Sequence, residues 1–351
     1  MERIYKFFGK NVLIIGLISM TMGCNDFLDE PQPSTAVSHD QVFTSENGVR
    51  SYFNGIYRNL RSQWKSVDGK TGGDTETWGV VSLNITREVN GVDMMIPSGW
   101  YQWDYRHDNR ASIYTRTKFV WDFLYETVNQ ANIIIKGVEE SELSESAKKR
   151  FAAEAKAIRA WAYFNLIREY QFSYATDPDA PGVPIYTEPA SIESTGKPRD
   201  AVQDVYDLIL SDMEYAVQNL EPSGNRVLKS NINVYVAQGM LARVKLEMSQ
   251  WEAAKKAAIA ARGGTKFPLN AEGYGDGFNK IDNQEWIWGF PQSNDQTLYY
   301  GTPASHFNHF VDGYASVFVN DDFVKLFSDT DVRNLFSAGF YGGDPTNYYY
   351  Y

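Results

Sequence analysis

Between Val92 and Asn109 the chain reads VDMMIPSGWYQWDYRHDN. Trp100, Tyr101, Trp103 and Tyr105 stand close together there, beside Asp93, Asp104, Arg106 and Asn109. That mixture suits recognition of a sugar. Flat rings stack on the apolar faces of pyranoses, and planar amides, carboxylates and guanidinium groups bind pairs of hydroxyls. The segment is therefore a candidate ligand platform, led by Trp100, Tyr101, Trp103, Tyr105, Asp93 and Asn109. A plainer reading stays open beside it: the rings pin a long loop onto neighbouring helices. Asn84 and Arg87, upstream, are weaker polar candidates.

A second aromatic cluster comprises Trp286, Trp288, Tyr299 and Tyr300. In EWIWGF (Glu285 to Phe290) strand alternation would put Trp286 and Trp288 on one face, and a buried face is the simpler reading. Tyr299 and Tyr300 fall in loop-like sequence and are the better ligand contacts.

Other chemistries find little support. DPDAPGVPIYTE (Asp177 to Glu188) has Asp177, Asp179, Gly182 and Glu188 at calcium-loop spacing. Pro181 occupies a ligand position, however, and no helix pair frames the loop. His306 and His309 form an HxxH without a third ligand. No metal or other cofactor is expected. There is no GxSxG, no HExxH and no phosphate-cradling glycine loop, and with 44 acidic residues no carboxylate pair stands out for glycoside hydrolysis. The net charge of -11 argues against nucleic acid, which needs clustered Lys and Arg. Aromatic residues make up 15% of the chain, a content that fits an exported protein facing carbohydrate or peptide.

The elements that would position these residues can be read in order. Arg3, Lys6 and Lys10 precede an apolar run from Asn11 to Gly23 of about a dozen residues, where a membrane span needs about 20. This is a secretory signal over residues 1–23. Cys24, the single cysteine, follows Gly23 directly and so reads as a lipid-attachment site, although Thr21 stands where a Leu is usual. With no other cysteine there is no disulfide framework. Residues 24–44, with Pro31 and Pro33, read as a polar tether, and residues 45–351 as a single body.

Ser45 is a predicted N-cap, and Val49, Tyr52, Phe53, Ile56, Tyr57, Leu60 and Trp64 make the first amphipathic stripe. From Lys65 to Arg116 the periodicity fails, and a long irregular excursion rich in Trp and Tyr is expected. Val120, Leu124, Val128, Ala131, Ile135 and Val138 mark a second helix. Ala147 to Tyr170 is apolar around most of its circumference in its second half and should be the central buried helix. A loop with five prolines follows over Phe172 to Pro198. Stripes then recur through Val205–Leu220, Ala237–Met248 and Trp251–Ala261, the last ending at Gly263 and Gly264. Small residues such as Gly239, Ala242, Ala254 and Ala258 let neighbouring helices approach, as in tetratricopeptide repeats of roughly 34 residues. The fold class is mainly α, with helical pairs, an irregular aromatic face and little strand.

Several segments resemble the SusD/RagB family. CNDFLDEPQP behind the signal, RFAAEAKAIRAWAYFNLIREY, PGVPIYTEP, VQDVYDLILSDMEYAVQNL, LARVKLEMSQWEAAKKAA and NQEWIWGF follow in that family's order. The resemblance implies a SusD-like fold and a lipoprotein exposed on the outer membrane, with Asp26, Asp29 and Glu30 typical of surface export. It implies capture of a glycan or similar nutrient for a SusC-like, TonB-dependent transporter, without catalysis. Family members are usually longer, so a C-terminal part is expected to be missing. The alternatives are a lipid-anchored helical scaffold for other proteins, and a surface glycoside hydrolase.

Overall fold

A computed structural model describes residues 39–66, 69–73, 75–222, 229–263, 271–274, 280–291, 303–309, 314–341 and 344–350. The chain divides into a unit Met1–Val42, whose described part is the single turn His39–Val42, and a unit Phe43–Tyr351. Cys24, the expected lipid-attachment site, lies outside the described residues, as do Tyr299 and Tyr300.

The second unit is built mainly from helices: α1 (Glu46–Arg61), α2 (Gly79–Asn90), α3 (Gln102–Tyr105), α4 (Thr115–Glu140), α5 (Glu145–Tyr170), α6 (Val202–Asn219), α7 (Val234–Glu247) and α8 (Trp251–Arg262). Consecutive helices from α4 to α8 pack on one another, which is the expected succession of tetratricopeptide-like pairs. Ser45 caps α1 by accepting from Gly48 N at 3.1 Å, and Ser144 caps α5 by accepting from Ala147 N at 3.3 Å. Both caps satisfy amides that the first helical turn leaves unpaired. Gly137 of α4 permits a close approach, since a Cβ there would lie 2.4 Å from the Phe43 ring.

α5 is the buried centre of the unit. Ala153, Ala155, Ala157, Ala160 and Ala162 are fully buried, so helices lie close on several sides, and Trp161, Tyr163 and Phe164 fill the remaining space. Its polar residues are buried in pairs. Glu154 receives both guanidinium nitrogens of Arg50 at 2.9 and 2.8 Å, and the Tyr57 hydroxyl at 2.5 Å. Arg159 donates to both oxygens of Asp212 on α6, and Lys156 adds a third donor at 3.1 Å. Buried charge is tolerated only when paired in this way.

Three expectations need correction. The excursion after Lys65 contains a full helix, α2. Its buried face includes Ser82 and Thr86 beside Leu83, Ile85 and Val89, and the two polar residues break the apolar stripe in the sequence. EWIWGF is not a strand: among the described residues it joins no sheet ladder, and the segment runs as turns and bends. Trp286 N closes one turn on Asn283 O, and Trp288 Nε1 donates to Ser230 O at 2.8 Å. Little strand was expected, yet the C-terminal part forms strands. β1 (Met94–Met95), β2 (Phe318–Asn320), β3 (Ser337–Tyr341) and β4 (Asp344–Tyr350) make an antiparallel sheet in the order β1-β2-β4-β3. A run of tyrosines suits strands better than loop.

Candidate ligand platform

The platform segment leaves α2, pairs as β1 with β2, turns at Gly99, makes the one-turn helix α3 and reaches α4. Met94 faces Val319 and Met95 faces Phe318, and Asn320 N donates to Asp93 O at 2.8 Å. Chain more than 200 positions downstream therefore fixes where the segment starts. Gly99 adopts φ +105, a conformation other residues rarely take.

Past Gly99 the helical spacing sorts the side chains. Residues three or four apart share a face of a turn. Tyr101, Asp104 and Tyr105 turn inward, and Trp100 and Trp103 turn outward, 39% and 41% exposed. Tyr101 is fully buried with Ile85, Val89, Ile96 and Val317 in a small core beneath the segment, with Met94 and Tyr105 packed against it. Its hydroxyl meets Ser82 Oγ at 2.9 Å, and burial pushes the phenol pKa up. Tyr101, expected as a ligand contact, is thus a packing residue, because its ring fills the core that supports the platform. Tyr105 is half-buried on the same core and offers at most part of its ring. Asp93 is exposed.

Asp104 holds the turn down. Only 2% exposed, it accepts from Arg116 Nε at 3.0 Å and lies 3.5 Å from Arg110 Nη1. Arg116 also donates to Thr86 Oγ1 at 2.7 Å, tying α2, α3 and α4 together. Arg110 donates to Asn90 Oδ1 and to Asp104 O. Arg87, a weaker site candidate in sequence, is a structural link to Glu169 of α5 at 2.7 Å. Asn84 is exposed on α2.

Trp103 also borders a polar notch of about 160 Å³ together with Asp108, Asn109 and Tyr114. Asn109 takes φ 56 there, a left-handed conformation that Asn tolerates better than most residues. Tyr114, 41% exposed, is a ring the sequence did not single out. Its position just before the α4 stripe is the signal that could have found it. The outward surface thus presents Trp100, Trp103 and Tyr114 with polar groups between them. Such a surface can stack sugar rings and bind hydroxyls.

Trp100 is backed by an aromatic relay. Its ring meets Tyr314 edge-on at 6.5 Å, Tyr314 stacks on His306 at 4.7 Å, and His306 meets Tyr101 at 5.1 Å. His306 is fully buried, with Nδ1 2.7 Å from Ser316 Oγ. His309 instead contacts Val317 O at 2.7 Å, so the HxxH pair serves packing. Burial lowers the His306 pKa from its ordinary value near 6.5 to about 4. Between those values the unfolded chain binds a proton that the folded chain does not. Stability is therefore expected to fall as pH drops from about 6.5 through about 4, by at most about 3 kcal/mol from this group. Thermal melting across that range should show a steeper loss for wild type than for His306→Phe. Parallel curves would contradict the assignment.

The family described as starch-binding and associating with the outer membrane, SusD-like, matches residues 26–246. A SusD-like protein of Bacteroides ovatus is 31% identical over 134 residues, covering 37% of this chain and 22% of that protein. A SusD-like protein of Formosa agariphila is 25% identical over 266 residues, covering 74% of this chain and 47% of that protein. The crystal structure of a SusD-like carbohydrate binding protein from Bacteroides vulgatus superposes with TM-score 0.75 at 26% identity, covering 84% of this chain and 62% of that one. The chain thus spans about half or less of the curated relatives it matches.

Proposed function

This chain belongs to the SusD-like family, and we propose from that membership that it captures a glycan and passes it to a SusC-like, TonB-dependent transporter. In this reading residues 1–23 are a signal peptide, residues 24–44 a tether and residues 45–351 the binding body. Lipid on Cys24 holds the protein on the cell surface at the outer membrane. It is a binding protein, with no catalytic residue assigned.

The observation that carries the reading is the outward pair Trp100 and Trp103, displayed on a turn that Asp104 and Arg116 hold from behind. Rings fixed in place lose little freedom when they bind. The name of the Bacteroides vulgatus structure, a carbohydrate binding protein, supports the ligand class. Asp104, the carboxylate beneath the platform, is committed to Arg116 and Arg110, which favours binding over hydrolysis. Among the described residues no helix is long and apolar enough to cross a membrane. The scaffold alternative draws on the exposed apolar residues Leu246 and Trp251, which line one groove between α7 and α8. That groove equally suits docking to a transporter.

Native affinity electrophoresis in gels containing soluble starch, laminarin, xylan or pectin tests the ligand class. Retarded migration in at least one gel is expected, and unretarded migration in all four would contradict it. Cys24→Ala should move the protein out of the membrane fraction; a variant as membrane-bound as wild type would remove the anchor from the account.

A further inference from the structure

A cleft of about 520 Å³ lies between α4 and the proline-rich segment that follows α5, built from different residues than the platform. We infer that it is a second carbohydrate site, which takes a neutral pyranose unit. The inference rests on the glycan-binding reading above.

The rings come first. Trp121 and Tyr125 are one helical turn apart on α4, their centroids 4.8 Å apart and their planes tilted. Tyr186, across the cleft, meets Tyr125 edge-on at 5.8 Å. The three half-buried rings form a corner rather than a flat wall, and a corner of that kind can hold a sugar ring by one face and one edge. Polar groups border it. Asn129 Oδ1 accepts from Ala190 N at 2.7 Å. Among the described residues, neither its Nδ2 nor Trp121 Nε1 meets an acceptor. Both donors are available to hydroxyl oxygens.

The opposite wall is pinned along its length. Tyr125 donates to Pro184 O at 2.7 Å. Asp200 accepts from Ile185 N at 2.7 Å. Tyr163 Oη accepts from Tyr186 N at 2.6 Å and donates to Tyr186 O at 3.0 Å. Asn132 Nδ2 donates to Tyr186 O and Glu188 O, while Arg159 fixes its other end. A loop of irregular backbone held by this many side chains keeps its shape without a ligand, and that lowers the cost of binding one. The volume falls in the usual range for small-molecule sites.

Charge selects the class of sugar. Two lysines beside the cleft have carboxylate partners, Lys197 with Asp200 at 2.9 Å and Lys136 with Glu188 at 4.0 Å, and Arg199 is held by the carbonyls of Tyr170 and Gly182. With these cations engaged and the Glu188 carboxylate on its lining, the cleft favours a neutral sugar over an acidic one.

Gly196, on the rim, gives a clean test. A Cβ there would meet nothing within 4 Å, and its backbone is one any residue can adopt. Gly196→Trp therefore fills the cleft without straining the chain, and Asn129→Asp removes the donor while keeping the bond from Ala190 N. The full chain, carrying Trp100→Ala/Trp103→Ala to silence the platform, would be titrated calorimetrically with maltoheptaose, laminarihexaose, xylohexaose and, as acidic control, trigalacturonate. At least one neutral sugar should still bind. Adding Gly196→Trp, or Asn129→Asp, should weaken that residual binding at least tenfold with an unchanged melting temperature.

If the platform variant binds none of the sugars while wild type does, the cleft is not a site and the glycan reading survives. If no sugar binds any form, both fall. Residual binding that ignores both cleft substitutions, or trigalacturonate as the tightest ligand, also overturns the inference. Should Gly196→Trp melt lower, Asn129→Asp decides alone.

Discussion

Asp212→Ala should cost about 3 to 5 kcal/mol of folding stability, the range measured when one partner of a buried ion pair is removed. Asp212 is 1% exposed and accepts from Arg159 Nε at 2.8 Å, Arg159 Nη2 at 2.9 Å and Lys156 Nζ at 3.1 Å. Without it the Arg159 guanidinium, itself buried, faces no counter-ion between α5 and α6. Arg159 Nη1 also donates to Asn132 Oδ1, and Asn132 holds the carbonyls of Tyr186 and Glu188, so the damage should spread to the pinned loop. Asp212→Asn keeps the shape and loses only charge, and should cost less. The double variant Arg159→Met/Asp212→Leu should recover part of the loss, since it removes the orphaned guanidinium while the partly exposed Lys156 and the Asn132 amide oxygen each lose a partner. Chemical denaturation of wild type and these three variants measures the losses, and the single variants Arg159→Met and Asp212→Leu complete a double-mutant cycle. A loss below about 1 kcal/mol for Asp212→Ala would mean that the pair is solvated.

Trp161→Ala should be comparably severe, about 3 to 5 kcal/mol, because a large ring leaves a cavity that rigid helices cannot close. Trp161 sits 8% exposed on α5 and meets Trp288 edge-on at 6.1 Å. Trp251 is the natural control. It opens α8 at 61% exposure, and Trp251→Ala should change stability by no more than about 0.5 kcal/mol. Equal effects at the two positions would show that α5 is not the core.

These two positions illustrate what the sequence makes legible. α5 is read easily because alanines and aromatic residues surround its axis, and that pattern has no solvent face. The cap at Ser45 follows from local spacing, so α1 begins where the residues say, whereas α5 begins at Glu145 under the Ser144 cap, two residues before the start read from the sequence. α2 escapes such reading because Ser82 and Thr86 are buried through partners far away, the Tyr101 hydroxyl and Arg116. The tail escapes it because strand pairing joins Met94 to Val319 and Val319 to Tyr349, contacts that no local window contains.

The platform was half legible. Four rings in a row look equivalent as letters. One turn of helix and an arginine from α4 then decide that Trp100 and Trp103 face out and Tyr101 faces in. The cleft was missed because Trp121, Tyr125, Asn129 and Asn132 form a second, mixed stripe on α4. It runs beside the apolar stripe of Val120, Leu124 and Val128 that drew the reading, although its three- and four-residue spacing is equally regular.

The outward indoles are expected to bind the glycan. Isothermal titration of whichever polysaccharide retards the protein, against wild type and Trp100→Ala/Trp103→Ala, with thermal melting alongside, tests it most directly. At least a tenfold loss of affinity, about 1.4 kcal/mol, is expected, with the melting temperature unchanged. Unchanged affinity with a lowered melting temperature would contradict it, and would leave those rings as the pins that hold the loop to its helices.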